Sequence, residues 1–240
     1  MKDTIYRSPD TPIKPFEFDQ RVVDVFPDMI KRSVPGYPLT ISMISVVADN
    51  FVQPDSTIYD LGCSLGAVTF AIQQGMNNKQ CKIIAVDNSE AMIESCRKAT
   101  IDKKKDIDIN FLLEDVVETE ITNASVVVMN FTLQFIPLEM RQALVNKIYE
   151  GLLPGGIFIL SEKIKFDDDG ENHTMEQLHY HMKELNGYDE LEIANKRNAL
   201  EQVLIPETID VHQQRLNNAG FDKLFVWLKC FNFVSLIAIR

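Results

Sequence analysis

Cysteine is scarce and scattered: Cys63, Cys81, Cys96 and Cys230 include no C-x-x-C pair. That argues against a disulfide framework or a cysteine-bound zinc and leaves buried, reduced thiols as the expectation. Histidine is as thin, with four residues and no H-E-x-x-H; His179 and His181 are two apart and face different sides of a helix. No metal is expected. No apolar run approaches the ~18 residues of a transmembrane helix. The opening MKDTIYRSPDTPIKPFEF has no apolar signal core, so a cytoplasmic protein off the membrane is expected. Basic residues are outnumbered, 24 Lys and Arg against 35 Asp and Glu, giving a net charge of −11 with no basic stripe. A protein gripping DNA or RNA neutralises phosphates with Lys and Arg, so this balance argues for a small-molecule substrate and against direct nucleic-acid binding.

What the chain does have is alternation. Its 240 residues, 45% apolar and 25% charged, suit one soluble α/β domain. From Ser56 onward, strand-like runs (TIYDLG, KIIAVDNS at 82–89, INFLLED at 109–115, ASVVVMNFT at 124–132, GGIFILSEK at 155–163) alternate with helical patterns at 66–75, 89–101 and 137–151. Near-continuous apolar strands between helices imply a parallel sheet covered on both faces. The last 20 residues hold two β-rich runs around Asn232, a hairpin adding an antiparallel strand at the far edge. Residues 1–50 and 164–218 lie outside the alternation and read as a helical N-terminal cap and a helical lid on one domain spanning 1–240. In open α/β sheets such additions commonly cover the crevice at the carboxyl ends of the strands.

Four polar groups close successive strands. The loop YDLGCSLG sets Asp60, Gly62 and Gly66 in a D-x-G-x-x-x-G spacing, with Ser64 where a dinucleotide fingerprint needs its second glycine. A tight strand-to-helix turn alone would also explain those glycines. Asp87 ends the next strand, where a carboxylate can accept both ribose hydroxyls, and DNSEAMIESC also reads as a helix cap. Asp115 suits an adenine amino group, and Asn130 interrupts an apolar strand and so calls for a partner.

Together these features resemble the class I methyltransferase fold that binds S-adenosylmethionine (SAM), a Rossmann-like sheet in the order 3-2-1-4-5-7-6. More narrowly, QRVVDVFPDMIKRSVPGY, YDLGCSLG, NFTLQF, LSEK, NGYDELEIANKR and CFNF resemble the bacterial carboxy-S-adenosyl-L-methionine synthases over nearly the whole chain. The resemblance implies an enzyme that takes SAM and prephenate to carboxy-SAM and phenylpyruvate. It implies a homodimer that works upstream of a separate tRNA carboxymethyltransferase acting on wobble uridine. It implies that Tyr37 contacts SAM from the cap, that Gly62, Cys63 and Ser64 line the methionine portion, and that Asp87 and Asn88 hold the ribose. Asp115 and Val116 would hold adenine, Asn130 would lie beside the methionine end, and Arg197 would bind the carboxylate added to the methyl carbon.

Arg197 also reads as an exposed helical arginine paired with Glu190 or Glu201. Its planar fork nevertheless matches a carboxylate bidentately, and an ordinary methyltransferase gains nothing from a cation aimed at a sulfonium. No side chain stands out as acid or base. A carboxylate (pKa ~4) or a histidine (~6.5) is too weak to deprotonate the sulfonium methyl unaided. The resemblance implies substrate assistance, with prephenate's departing hydroxyl taking the proton. A conventional small-molecule methyltransferase and a non-catalytic SAM-binding protein remain the alternatives.

Overall fold

Alternating side-chain direction along the strands decides which helices cover which face. The computed structural model describes residues 1–7, 15–76, 80–100, 107–201 and 203–240. Part of the Pro-rich start and the last residue of the helix expected at 89–101 lie outside these. Five strands run parallel, β1 (Ser56–Leu61), β2 (Cys81–Asp87), β3 (Ile109–Leu113), β4 (Ala124–Asn130) and β5 (Leu152–Lys163). Near the C-terminus β6 (Lys223–Cys230) and β7 (Phe233–Ile239) form the hairpin, with β7 antiparallel to both β5 and β6. The seven-stranded order is β3-β2-β1-β4-β5-β7-β6, the order the resemblance implied.

The helices are α1 (Gln20–Ser33), α2 (Tyr37–Phe51), α3 (Ala67–Gly75), α4 (Glu90–Thr100), α5 (Leu138–Gly151), α6 (Asp169–Leu185), α7 (Glu190–Leu200) and α8 (Ile209–Ala219). On one sheet face Ile58, Val126, Val128, Ile157 and Ile159 pack with Ile44 and Ala48 of α2 and Val68 and Ile72 of α3. Their neighbours one residue along, Tyr59, Val127, Met129, Phe158 and Leu160, pack on the other face with Leu144 and Ile148 of α5 and Leu216 of α8. Each such buried Val, Leu, Ile, Met or Phe side chain contributes ~1.5–3 kcal/mol.

Two helices assigned by sequence to the cap and the lid therefore serve the sheet. α2 carries Ile44 and Ala48, both fully buried against the strands, and α8 carries Leu216 into the α5 face. Local caps cut the lid segment into separate helices. Asp168 accepts from Glu171 N–H to start α6, Asp189 and Glu192 form a capping box on α7, and Thr208 caps α8. That leaves α1, α6 and α7 over the strand ends. The last carbonyls of α1 are taken by α6 and the residue after it: Ser33 O lies 2.7 Å from His179 Nε2, and Arg32 O accepts from Asn186 Nδ2 at 3.1 Å. Among the described residues, no helix is long and apolar enough to cross a membrane.

The chain returns from the lid through a charged clasp. Arg141 of α5, fully buried, donates to Glu207 at 2.5 Å and to the carbonyls of Gln134, Ile136 and Ile205. Beside it, Glu162 of β5 is buried; Oε1 accepts from Leu133 N–H at 3.0 Å, and Oε2 has no partner among the described residues. Burial pushes this carboxyl from 4.5 up to about 8, against the pull of Arg141 and the Leu133 and Gln134 amides and with Glu207 adding to the rise. A raised carboxyl favours the folded state while protonated, so its contribution is lost as pH climbs from 4.5 to about 8. Glu162→Gln, neutral throughout, should unfold in urea close to wild type near pH 5 and at higher urea than wild type near pH 9. Identical pH dependence of the two midpoints would contradict this assignment.

Candidate functional site

The site is built where β1 and β2 end. After Leu61 the chain turns through Gly62 (φ 81°), Ser64 (φ 50°) and Gly66 (φ 74°), three left-handed residues in five. A Cβ on Gly62 would fall inside the Thr132 side chain, so both space and φ demand glycine there. Gly62 and Cys63 N–H donate to Val86 O at 2.8 and 2.9 Å. The Asp87 carboxylate completes the clamp: Oδ2 accepts from Ser64 N–H at 2.8 Å and Oδ1 from Ser89 N–H at 2.9 Å. Burial raises the Asp87 carboxyl, with those two amides opposing.

Asp60, the first acid of the motif, turns inward. It accepts from Thr69 N–H at 3.0 Å and Thr69 Oγ1 at 2.5 Å, holding the first turn of α3. Burial pushes its carboxyl up to about 6 against those bonds, and Asp87 adds to the rise. Cys63 is buried, and the neighbouring Cys96 thiol and then burial push its own thiol well above the ordinary value.

The other sequence-derived residues converge on the same space. Asp115, exposed, accepts from Val117 N–H at 3.0 Å, while Val116 is buried. Asn130 closes β4, where Phe131 turns the chain with φ 63°, and its buried Oδ1 has no partner among the described residues. Tyr37 at the start of α2 has its hydroxyl pushed upward by burial and then by the charge of Asp60. Arg197 is half-exposed, its Nε 3.5 Å from Glu201 Oε1. Tyr37, Gly62, Cys63, Ser64, Asp87, Asn88, Asp115, Val116, Asn130 and Arg197 all border one cavity of about 370 Å³. The Glu201 pair and the cavity position coexist for Arg197, so neither of its two readings excludes the other.

Sequence reasoning missed Lys163, His179, Lys183 and Lys196, which border the same cavity. Lys163 could have been found, since it closes β5 as Asp87 and Asn130 close β2 and β4. The lid residues carry no local signal of that kind.

A family model described as a methyltransferase domain matches residues 58–156. Over 239 residues the chain is 51% identical to a carboxy-S-adenosyl-L-methionine synthase from Shewanella sp. (strain W3-18-1), covering 100% of this chain and 98% of that one. A carboxy-S-adenosyl-L-methionine synthase from Aliivibrio fischeri (strain MJ11) is 50% identical, with 99% and 98% covered. The chain belongs to the carboxy-S-adenosyl-L-methionine synthase family. Solved structures of lower identity share the fold of this family member. One is a putative S-adenosyl-L-methionine-dependent methyltransferase from Methanococcus maripaludis (TM-score 0.60, 17% identity, 95% of this chain and 96% of that one). Another is human N-acetylserotonin methyltransferase in complex with SAM (TM-score 0.60, 15% identity, 92% and 55%). Among the described residues, no group of three or more His, Cys, Asp or Glu is placed to hold a metal ion.

Two glycines separate backbone strain from lack of space. Gly36 also has positive φ (70°), but nothing lies within 4 Å of a Cβ added there. Gly36→Ala should cost only the left-handed penalty, ~1 kcal/mol, whereas Gly62→Ala should cost ~2–4 kcal/mol because Thr132 must also be displaced. Urea unfolding of both variants checks the order; equal losses would mean that the Thr132 contact gives way freely.

Proposed function

We propose that this protein is a carboxy-SAM synthase that converts SAM and prephenate to carboxy-SAM, phenylpyruvate and water. The observation that carries the reading is the convergence of all ten candidate ligand residues on one cavity. Asp87 spends one lone pair of each oxygen on a loop amide and keeps the others for the ribose hydroxyls, next to Asn88. Asp115 accepts from the adenine amino group beside the apolar Val116. Bare backbone at Gly62 lets the methionine portion approach along Cys63 and Ser64, near Tyr37. The unpartnered Asn130 oxygen accepts from the methionine ammonium. Arg197 faces the carboxylate that the reaction adds.

No side chain is assigned the role of base. Even the Asp60 carboxyl, raised to about 6, is far too weak to take a proton from a sulfonium methyl. The proton leaves with the co-substrate instead. Prephenate sheds carbon dioxide and its ring hydroxyl as the ring becomes aromatic, the hydroxyl takes the methyl proton away as water, and the methyl carbon bonds to the carbon dioxide. The protein's share is positioning and dryness, for which α1, α6 and α7 are placed over the strand ends. The product supplies a carboxymethyl group that a separate enzyme passes to wobble uridine of tRNA. A cytoplasmic homodimer of net charge −11 that never grips tRNA suits that division of labour.

Incubation with SAM alone and then with prephenate, read by mass spectrometry, tests the proposal. Carboxy-SAM and phenylpyruvate should form in equal amounts, and only when both substrates are present. S-adenosylhomocysteine with a methylated product would identify a methyltransferase, and binding without turnover a SAM-binding protein. Arg197→Lys keeps the charge and loses the fork. It should weaken carboxy-SAM by about 1–3 kcal/mol and leave SAM nearly unchanged in calorimetry. Equal losses for the two ligands would show that Arg197 supports the lid and does not read the added carboxylate.

A further inference from the structure

The loop side of the cavity is acidic, with Asp60, Asp87 and Asp115. The opposite side is cationic although the chain as a whole carries −11. Lys163 at the end of β5, Lys183 on α6, and Lys196 and Arg197 on α7 all border the cavity there. Lys183 and Lys196 are only 6% and 5% exposed. The cations feel one another. Lys183 is pushed down to about 7, first by burial and then by the charges of Lys196, Lys163 and Arg197. Lys163 is lowered by burial, with Glu176 and Glu201 opposing; both glutamates also border the cavity, leaving four cations against two acids on this side.

Their pairing is uneven. Lys196 is held by Asp3 at 3.6 Å and donates to Ser33 Oγ at 2.9 Å, and Arg197 has Glu201 at 3.5 Å. Asp3 does not border the cavity, so it satisfies Lys196 from behind. Lys183 and Lys163 have no carboxylate within 4 Å among the described residues; Lys183 lies 5.6 Å from the Tyr180 ring centroid. His179, one turn before Lys183, adds no competing charge, because burial and then Lys183 push it down to about 3. Its ring packs edge-on against Phe233 at 4.9 Å, and Phe233 against Phe131 at 5.9 Å, giving the cationic wall an apolar flank. A buried ammonium without an ion-pair partner, as at Lys183, is destabilising, and a fold that keeps it on a cavity wall with Lys163 and Lys196 has placed it for an anion from outside.

We infer that Lys183 and Lys163, backed by Lys196, bind the two carboxylates of a small ring-bearing dicarboxylate co-substrate, with its ring on the Phe233–Phe131 flank. This rests on the reading above, in which prephenate carries two carboxylates on a six-membered ring. In that reading the methionine portion lies along Cys63 and Ser64 with its ammonium at Asn130, and neither lysine is assigned to it.

The test uses Lys183→Met, with Lys183→Arg as the charge-retaining companion. Calorimetry measures SAM binding, and then prephenate binding with S-adenosylhomocysteine present so that no turnover occurs. Wild type should bind prephenate more tightly than the monocarboxylate phenylpyruvate. Lys183→Met should weaken prephenate about tenfold or more and SAM less than about threefold, the scale of one charged hydrogen bond. Lys183→Arg should recover part of the loss. Without ligand, Lys183→Met should melt at or above the wild-type temperature, because a desolvated charge has been removed. Equal weakening of SAM and prephenate would overturn the inference by giving the site to the methionine carboxylate. Unchanged affinities, or a lower melting temperature with unchanged affinities, would overturn it by making Lys183 structural. Wild type that binds prephenate through Lys183 yet forms no carboxy-SAM would sink the proposed function and leave the dicarboxylate site standing.

Discussion

The Asp87 carboxylate, with one oxygen on Ser64 N–H and the other on Ser89 N–H, joins the two β-to-α turns that make the floor of the cavity. With Val86 O accepting from Gly62 and Cys63, it fixes the end of β2 to the loop leaving β1 and to the start of α4. The left-handed residues of that loop are held by these bonds, and Gly62 can sit against Thr132 only because it has no side chain. A group that ties the loop with two of its lone pairs and borders the cavity is scaffold and, in the proposed reading, ribose ligand as well. The two roles therefore separate only in a variant that keeps one of them.

Around that floor the charges of the cavity are unevenly spread. The ends of β1 and β2 and the turn after β3 bring only acids, whereas the end of β5 with α6 and α7 brings Lys163, Lys183, Lys196 and Arg197 against Glu176 and Glu201. Strand order brings the two sides into one crevice, and the helices inserted after β5 supply most of the positive wall. The proposed substrate pair, a cationic sulfonium at one end and carboxylates at the other, would meet a field that orders it before any contact is made.

The cover over this crevice is one layer with two sources in the sequence. His179 and Asn186 hold the last carbonyls of α1. Further along, Asp3 accepts from Tyr188 Oη at 2.6 Å, and Phe16 N–H donates to Ala199 O at 3.2 Å. Opening the site would therefore involve the N-terminal segment and the α6–α7 segment together. The Arg141–Glu207 clasp fixes the point where the chain re-enters the sheet layer, so the cover is anchored at a rigid end.

Periodicity and strand-end chemistry were open to reading in the sequence because both are local. Val126 through Asn130 announces a buried strand closed by a polar group, and the Asp60-to-Gly66 spacing announces the turn beneath it. The parallel sheet, the terminal hairpin and the strand-end groups Asp60, Asp87, Asp115 and Asn130 follow from such stretches taken in order, while Tyr37 and Arg197 came with the family resemblance. The roles of α2 and α8 do not, since an amphipathic pattern shows that a helix has an apolar face without saying what that face meets. Nor does the cationic wall. Lys163, Lys183 and Lys196 are far apart in the chain, and each taken alone is an ordinary surface lysine. Only the packing of α6 and α7 over the end of β5 takes water from Lys183 and Lys196 and brings all three to one cavity. Desolvation and like-charge proximity are properties of the assembled fold, and they turn three unremarkable lysines into a candidate site.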